Sequence, residues 1–166
     1  SFQDHVMGLN EPLKGLLGIT GNLLSQWGYR HETVSLDFRV TSNEQLRDAN
    51  VFAHKTAATC AGLGWIGKCS LLVTPQYGPR IKLATVLTDA PFKTAQPVVK
   101  DRCKGCTLCL QACPYGAIHN VNWERGVERD KLFDPYLCNG KRAEYIPLLG
   151  RKHSCALCLQ ACKVGL

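Results

Sequence analysis

A chain of 166 residues with 45% hydrophobic and 20% charged residues is long enough to bury a core and too apolar to read as disordered. Its formal charge is +7, and it carries ten cysteines. Eight thiolates on two cubane clusters would offset roughly four of those positive charges, so the basicity alone does not argue for a nucleic-acid partner. No apolar run approaches the ~20 residues of a membrane helix. The opening SFQDHVMGLNEPL has no basic-then-apolar leader pattern, which predicts a cytoplasmic setting. There, cysteines favour metal or redox chemistry over disulfides.

In chain order, Leu13, Leu16, Leu17, Ile19, Leu23, Leu24 and Trp27 recur at helical spacing. They predict a helix over 11–27 that starts at Glu11-Pro12 and stops at Gly28. Val34, Leu36, Phe38 and Val40 alternate and predict a strand over 33–40. An Ala-rich helix is expected over 51–60, then a Gly-rich loop over 62–67. Residues 70–74 and 80–88 are β-rich runs around PQYG, a hairpin pattern. The stretch DAPFKTAQP reads as a linker to a cysteine-rich module. The expected organisation is therefore 1–97 as one α+β domain and 98–166 as a second. That second module holds eight of the ten cysteines.

Within the module, Cys106-Thr-Leu-Cys109-Leu-Gln-Ala-Cys113 returns as Cys155-Ala-Leu-Cys158-Leu-Gln-Ala-Cys162. Such an echo predicts two similar halves about a pseudo-two-fold axis. Cys103, Cys106, Cys109 and Cys113 form a C-x2-C-x2-C-x3-C run followed by Pro114. This is the bacterial ferredoxin pattern for a [4Fe–4S] cluster. Three closely spaced thiolates wrap one side of a cubane, and the fourth is expected to start a helix and point toward a neighbouring cluster. The second half supplies Cys138, Cys155, Cys158 and Cys162. Crossed ligation assigns Cys103, Cys106, Cys109 and Cys162 to one cluster, and Cys138, Cys155, Cys158 and Cys113 to the other. A structural zinc site prefers two separated pairs of ligands and fits this spacing less well.

Gly62-Leu-Gly64-Trp-Ile-Gly67-Lys68-Cys69 imitates both G-x-G-x-x-G and a P-loop. A phosphate loop follows a strand and opens a helix. Here the order is inverted, which argues against a nucleotide. A tight turn, or one that lets backbone approach a different flat cofactor, remains.

AGLGWIGK, then SLLVTP, then the cysteine run with CP and GAI, resembles the epoxyqueuosine reductases. These are corrinoid-dependent [4Fe–4S] reductases related to reductive dehalogenases. The resemblance covers about 48–162 and suggests a short or truncated relative. It implies a corrinoid contacted at Gly67, Leu72 and Leu83, and a proton-donating acid at Asp48. It also raises tRNA as a partner, for which the basic residues Lys141-Arg142 and Arg151-Lys152-His153 would form a rim. The same rim would suit an acidic redox partner.

The expected architecture is α+β: a small α/β N-terminal layer followed by a ferredoxin-like two-[4Fe–4S] module. The expected function is electron transfer to an N-terminal site or a redox partner protein. The alternative is a reductase whose clusters reduce a bound cobalamin. Cys60 and Cys69 fall outside the ligand sets and read as small buried hydrophobes. Trp65 reads equally as a cofactor contact or an anchor for the turn. His54-Lys55 reads as a surface helix start.

Overall fold

The computed structural model describes residues 8–34, 36, 52–149 and 155–166. The apolar periodicity of the N-terminal stretch produces α1 (Asn10–Gln26). Its end is set by Gly28 at φ +83°, a left-handed conformation that costs a glycine nothing. Gly28 N donates to Ser25 O (3.0 Å) and Tyr29 N to Leu24 O (2.9 Å), which satisfies the last carbonyls of the helix. Leu24 is buried, whereas Leu16, Ile19, Leu23 and Trp27 are exposed.

The strand expected over 33–40 begins earlier, as β1 (His31–Thr33). Most of that expected stretch lies outside the described residues. Helix α2 (His54–Cys60) leads into β2 (Trp65–Ile66), which pairs antiparallel with β3 (Leu72–Val73) through Trp65↔Val73 and Ile66↔Leu72. The hairpin expected between 70–74 and 80–88 does not form. β3 turns back on β2 instead, and β4 (Val86–Thr88) pairs with β1 in the register His31↔Thr88. The PQYG turn closes only one bridge, Thr74↔Gly78. Pro79 then has no N–H to continue a ladder.

Arg80, next along, turns to the far end of the chain. Its Nη1 donates to Cys162 O (3.0 Å), and its Nη2 donates to Val164 O. Gly78, at φ +59°, lies so close that a Cβ there would stand 2.0 Å from Val164 O. The turn after β3 and the C-terminal segment are thus built against each other.

Residues 91–99 take no regular structure. Val98 N nevertheless donates to Thr59 O (2.9 Å) at the end of α2. The cysteine-rich part contains α3 (Leu108–Gln111), α4 (Arg129–Leu132), α5 (Pro135–Leu148) and α6 (Leu157–Ala161). Cys113 does not start a helix as expected, and neither does Cys162. Each follows the C-terminal end of a short one. Pro114 disfavours helical backbone at Cys113, and Cys162 is extended at ψ 127°.

The core gathers Ala58, Ile66, Leu72 and Leu132, with Ile81, Leu83, Trp123, Val127 and Phe133 packed around them. It joins α2, the β2–β3 pair and α4. The β2–β3 pair and the helix that carries Arg129 therefore share one apolar foundation.

Candidate metal centre

The first cysteine run is shaped by local hydrogen bonds. Cys103 N donates to Asp101 Oδ1 (2.6 Å), which also accepts from Asn122 Nδ2 (2.8 Å). Lys104 adopts φ +50°, and Cys106 N closes the turn on Cys103 O (3.0 Å). The chain then enters α3, which carries Cys109. In the second run Ala156 takes a left-handed conformation (φ +51°) immediately before α6, which carries Cys158. Helices α3 and α6 pack against each other, which brings the two repeats together.

Cys138, alone in the sequence, is placed by a helix cap. Asp134 Oδ1 accepts from Tyr136 N (2.9 Å) and Leu137 N (2.8 Å), with Pro135 in the first turn of α5. Cys138 N follows on Asp134 O (3.1 Å). Asp134→Ala removes this cap. The expected cost is about 1 kcal/mol of stability, read from the denaturant midpoint, with weaker retention of iron by the Cys138 side of the protein.

These elements enclose a cavity of about 390 Å³. Cys113, Cys138, Cys155 and Cys158 all line it, one from the first repeat, one from α5 and two from the second repeat. Lys55, Arg129 and Arg142 are also on its wall. The stem of Lys55 is exposed, but its Nζ turns inward to donate to Ser70 O (2.6 Å). Desolvation of the ammonium, and then repulsion from Arg129, hold its pKa below the usual lysine value. Burial raises the Cys138 thiol, Cys113 adds to this, and Arg142 opposes it. A cavity walled by thiols and cations has the chemistry to accept an anionic metal–thiolate group.

Cys103 stands on the other side of the Gly-rich turn. A Cβ on Gly67 would meet Val73 Cγ2 at 3.0 Å and the Cys103 and Cys69 sulfurs at 3.7 Å each. The turn therefore runs directly against a thiol of the first run. Burial raises the Cys103 pKa, and the Lys68 backbone N–H and the Trp65 indole pull it back down. Cys106 is exposed, Cys109 is half-buried, and Cys162 is tied to the β3 turn through Arg80.

Cys69 is 7% exposed and lies between Cys109 and Cys158, interacting with both. The bond from Cys109 lowers its pKa, but its own donation to Cys158 and its burial prevail and raise it to about 12. Cys69 is thus a buried thiol as expected, and it touches both repeats. Cys60, expected to be buried, is exposed. It is the last residue of α2 and faces away from the core side marked by Ala58 and Thr59.

Among the described residues, two buried side-chain donors have no hydrogen-bond partner, Trp65 Nε1 and Tyr115 Oη. Both face cysteines. Trp65 acts on Cys103. Tyr115 is held above its usual pKa by burial first and then by Cys155, with Cys138 and Cys113 adding to the effect. A donor left orphaned by the protein atoms alone fits a site completed by a sulfur-rich anionic group. Tyr115 escaped the sequence reading. Its only signal there is its place directly after Cys113-Pro114.

Of the positions that the resemblance implies, Gly67 is buried beside the thiols and Leu72 is in the core. Leu83 is half-buried against that core. Asp48 lies outside the described residues, as do Arg151, Lys152 and His153. His54 is partly buried, with Nδ1 2.7 Å from Thr85 Oγ1. In the basic pair, Lys141 pairs with Glu144 (3.0 Å) and Arg142 lines the cavity.

The spacing and folding of the first cysteine run are those of a [4Fe–4S]-binding segment. Residues 97–119 match the family described as a 4Fe-4S binding domain. More particularly, the chain is a relative of the epoxyqueuosine reductases. It is 36% identical over 89 residues to the epoxyqueuosine reductase of Bacillus subtilis, a match covering 51% of this chain and 23% of that protein. It is 38% identical over 85 residues to the Escherichia coli enzyme, covering 51% and 21%. With the Cyclobacterium marinum enzyme it shares 46% over 65 residues, covering 39% and 21%. The matched stretch is thus about a fifth to a quarter of each of these relatives. A crystal structure of epoxyqueuosine reductase with an epoxyqueuosine-modified tRNA stem loop has the same fold over 95% of this chain and 39% of its own, with a TM-score of 0.65 at 24% identity. A selenomethionine-labelled epoxyqueuosine reductase gives a TM-score of 0.63 at 24% identity, again over 95% of this chain.

Proposed function

We propose that this chain is a cytoplasmic electron-transfer protein carrying two [4Fe–4S] clusters in crossed ligation. Cys113, Cys138, Cys155 and Cys158 would hold one cluster, and Cys103, Cys106, Cys109 and Cys162 the other. The observation that carries this reading is a cavity lined by Cys113 together with Cys138, Cys155 and Cys158, three of the four cysteines of the second half, with Cys69 also on its wall. A bound [4Fe–4S] group supplies reversible one-electron chemistry at a potential set by its surroundings. The residues of this chain do the rest. The thiolates ligate, while Arg129, Arg142 and Lys55 compensate negative charge at the second site. The apolar core beneath the β2–β3 turn keeps both sites in register. Cys69 interacts with Cys109 of one set and Cys158 of the other. The division at 97/98 belongs to the same proposal, with 98–166 as the cluster module and 1–97 as the part that receives or passes on electrons. A redox partner protein docking near the second repeat would complete the route.

A second reading is favoured by the relatives, a corrinoid-dependent reductase. In it, Gly67, Leu72 and Leu83 would neighbour the corrinoid, and Asp48 would hold the proton. One relative is known with a tRNA stem loop, and in this reading tRNA becomes the substrate class.

Anaerobic reconstitution tests the first reading. About eight iron and eight sulfide per chain, with two reducible EPR components, is the expected result. About half that content with one component refutes the two-cluster assignment. Titrating the loaded protein with cob(II)alamin separates the second reading. A saturable change in the cobalt spectrum supports it, and an unchanged spectrum leaves electron transfer.

A further inference from the structure

Trp65 and Tyr115 stand out because, among the described residues, each carries a buried donor atom without a hydrogen-bond partner. Trp65 is 3% exposed, anchored in β2 with Arg102 stacked over its ring at 5.3 Å. Its indole is therefore held in place while its N–H stays unused. The ring of Tyr115 is fixed edge-to-face against Tyr145, with centroids 5.2 Å apart, and its hydroxyl is likewise unused. An orphaned buried donor is costly, so a partner is expected. The cysteines beside them are Cys103, whose sulfur lies 3.7 Å from where a Cβ on Gly67 would stand, two residues after Trp65, and Cys155, which lines the same cavity as Tyr115, one from each of the two proposed ligand sets.

We infer that Trp65 Nε1–H and Tyr115 Oη–H each donate a hydrogen bond to a cluster-bound thiolate, Cys103 and Cys155 respectively, and thereby raise the reduction potential of the two clusters separately. The inference rests on the two-cluster reading above. The physical basis is charge. One-electron reduction makes the cluster more negative, so a donor aimed at a ligand sulfur stabilises the reduced form more than the oxidised one. The donors add no ligand and transfer no proton. They are positioning residues with an electrostatic effect.

The test uses the full chain, iron-loaded under anaerobic conditions, in an EPR-monitored dithionite titration. Trp65→Phe and Tyr115→Phe keep the ring and remove the donor. Each is expected to shift one component, and a different one, toward more negative potential. A tenfold change in the one-electron equilibrium corresponds to about 59 mV. The component moved by Trp65→Phe should be the one lost in Cys106→Ala, and that moved by Tyr115→Phe the one lost in Cys155→Ala. Full iron content with both potentials unmoved overturns the inference and leaves the two-cluster reading standing. A wild-type chain without two reducible components overturns both. If Trp65→Phe fails to assemble, pulsed EPR of unsubstituted protein labelled with 15N-tryptophan decides instead. A nitrogen coupling on the reduced cluster supports the bond, and its absence overturns it.

Discussion

Cys113→Ala is expected to delete the EPR component that Cys155→Ala also deletes, and to spare the one that Cys106→Ala removes. Iron should fall by about half, from roughly eight to roughly four per chain. The reason is spatial. Cys113 belongs to the first run by sequence, but it lines the cavity that holds Cys138, Cys155 and Cys158. Removing it takes one thiolate from that site and exposes an iron to solvent. The reciprocal variant is Cys162→Ala, which should behave like Cys106→Ala. If Cys113→Ala instead removes the component lost in Cys106→Ala, each run holds its own cluster and the crossed assignment is wrong.

Leu132→Ala is expected to produce the largest loss of stability among single core truncations. Leu132 is 1% exposed and packs with Ala58, Ile66 and Leu72. Truncating such a leucine costs about 2.7–5 kcal/mol, depending on how far the cavity collapses. The effect should reach the metal site, because α4 carries Leu132 on the core side and Arg129 on the cavity wall. Leu132 O also accepts from His119 N (2.9 Å), tying this helix to the segment after Cys113. The measurement is the denaturant midpoint of the cluster-free and the iron-loaded protein. Loaded protein should lose more in midpoint than cluster-free protein, since a perturbed site binds its cluster less tightly and forfeits part of the stabilisation that binding to the folded state supplies. An equal loss in both forms would mean that the core and the metal site are not coupled.

Much of the chemistry was legible from local spacing. The ligand pattern of the first run is set by residues no more than eleven apart, and a tight turn is enough to arrange them. The same holds for α1 and its stop at Gly28, where periodicity and one left-handed residue decide the outcome locally. The repeated Cys-x-x-Cys-Leu-Gln-Ala-Cys segments likewise announced two similar helical units, and the structure packs these as α3 against α6.

What needed the tertiary structure was every choice between distant partners. Residues 80–88 have strand-forming composition, but composition does not say which strand they join. Pro79 ends the ladder, Arg80 is drawn to Cys162 O, and β4 pairs with β1 more than fifty residues away. Trp65 and Tyr115 look unremarkable in sequence. Only packing shows that, among the described residues, their polar atoms are buried without partners, near Cys103 and Cys155. Cys69 was a spare thiol in the sequence and is a bridge between the two repeats in the fold. The sequence by itself determined the metal chemistry, because cluster ligation depends on short-range cysteine spacing. The tertiary structure alone decided which thiols share a cavity and which donors face them, because those depend on long-range packing around one apolar core.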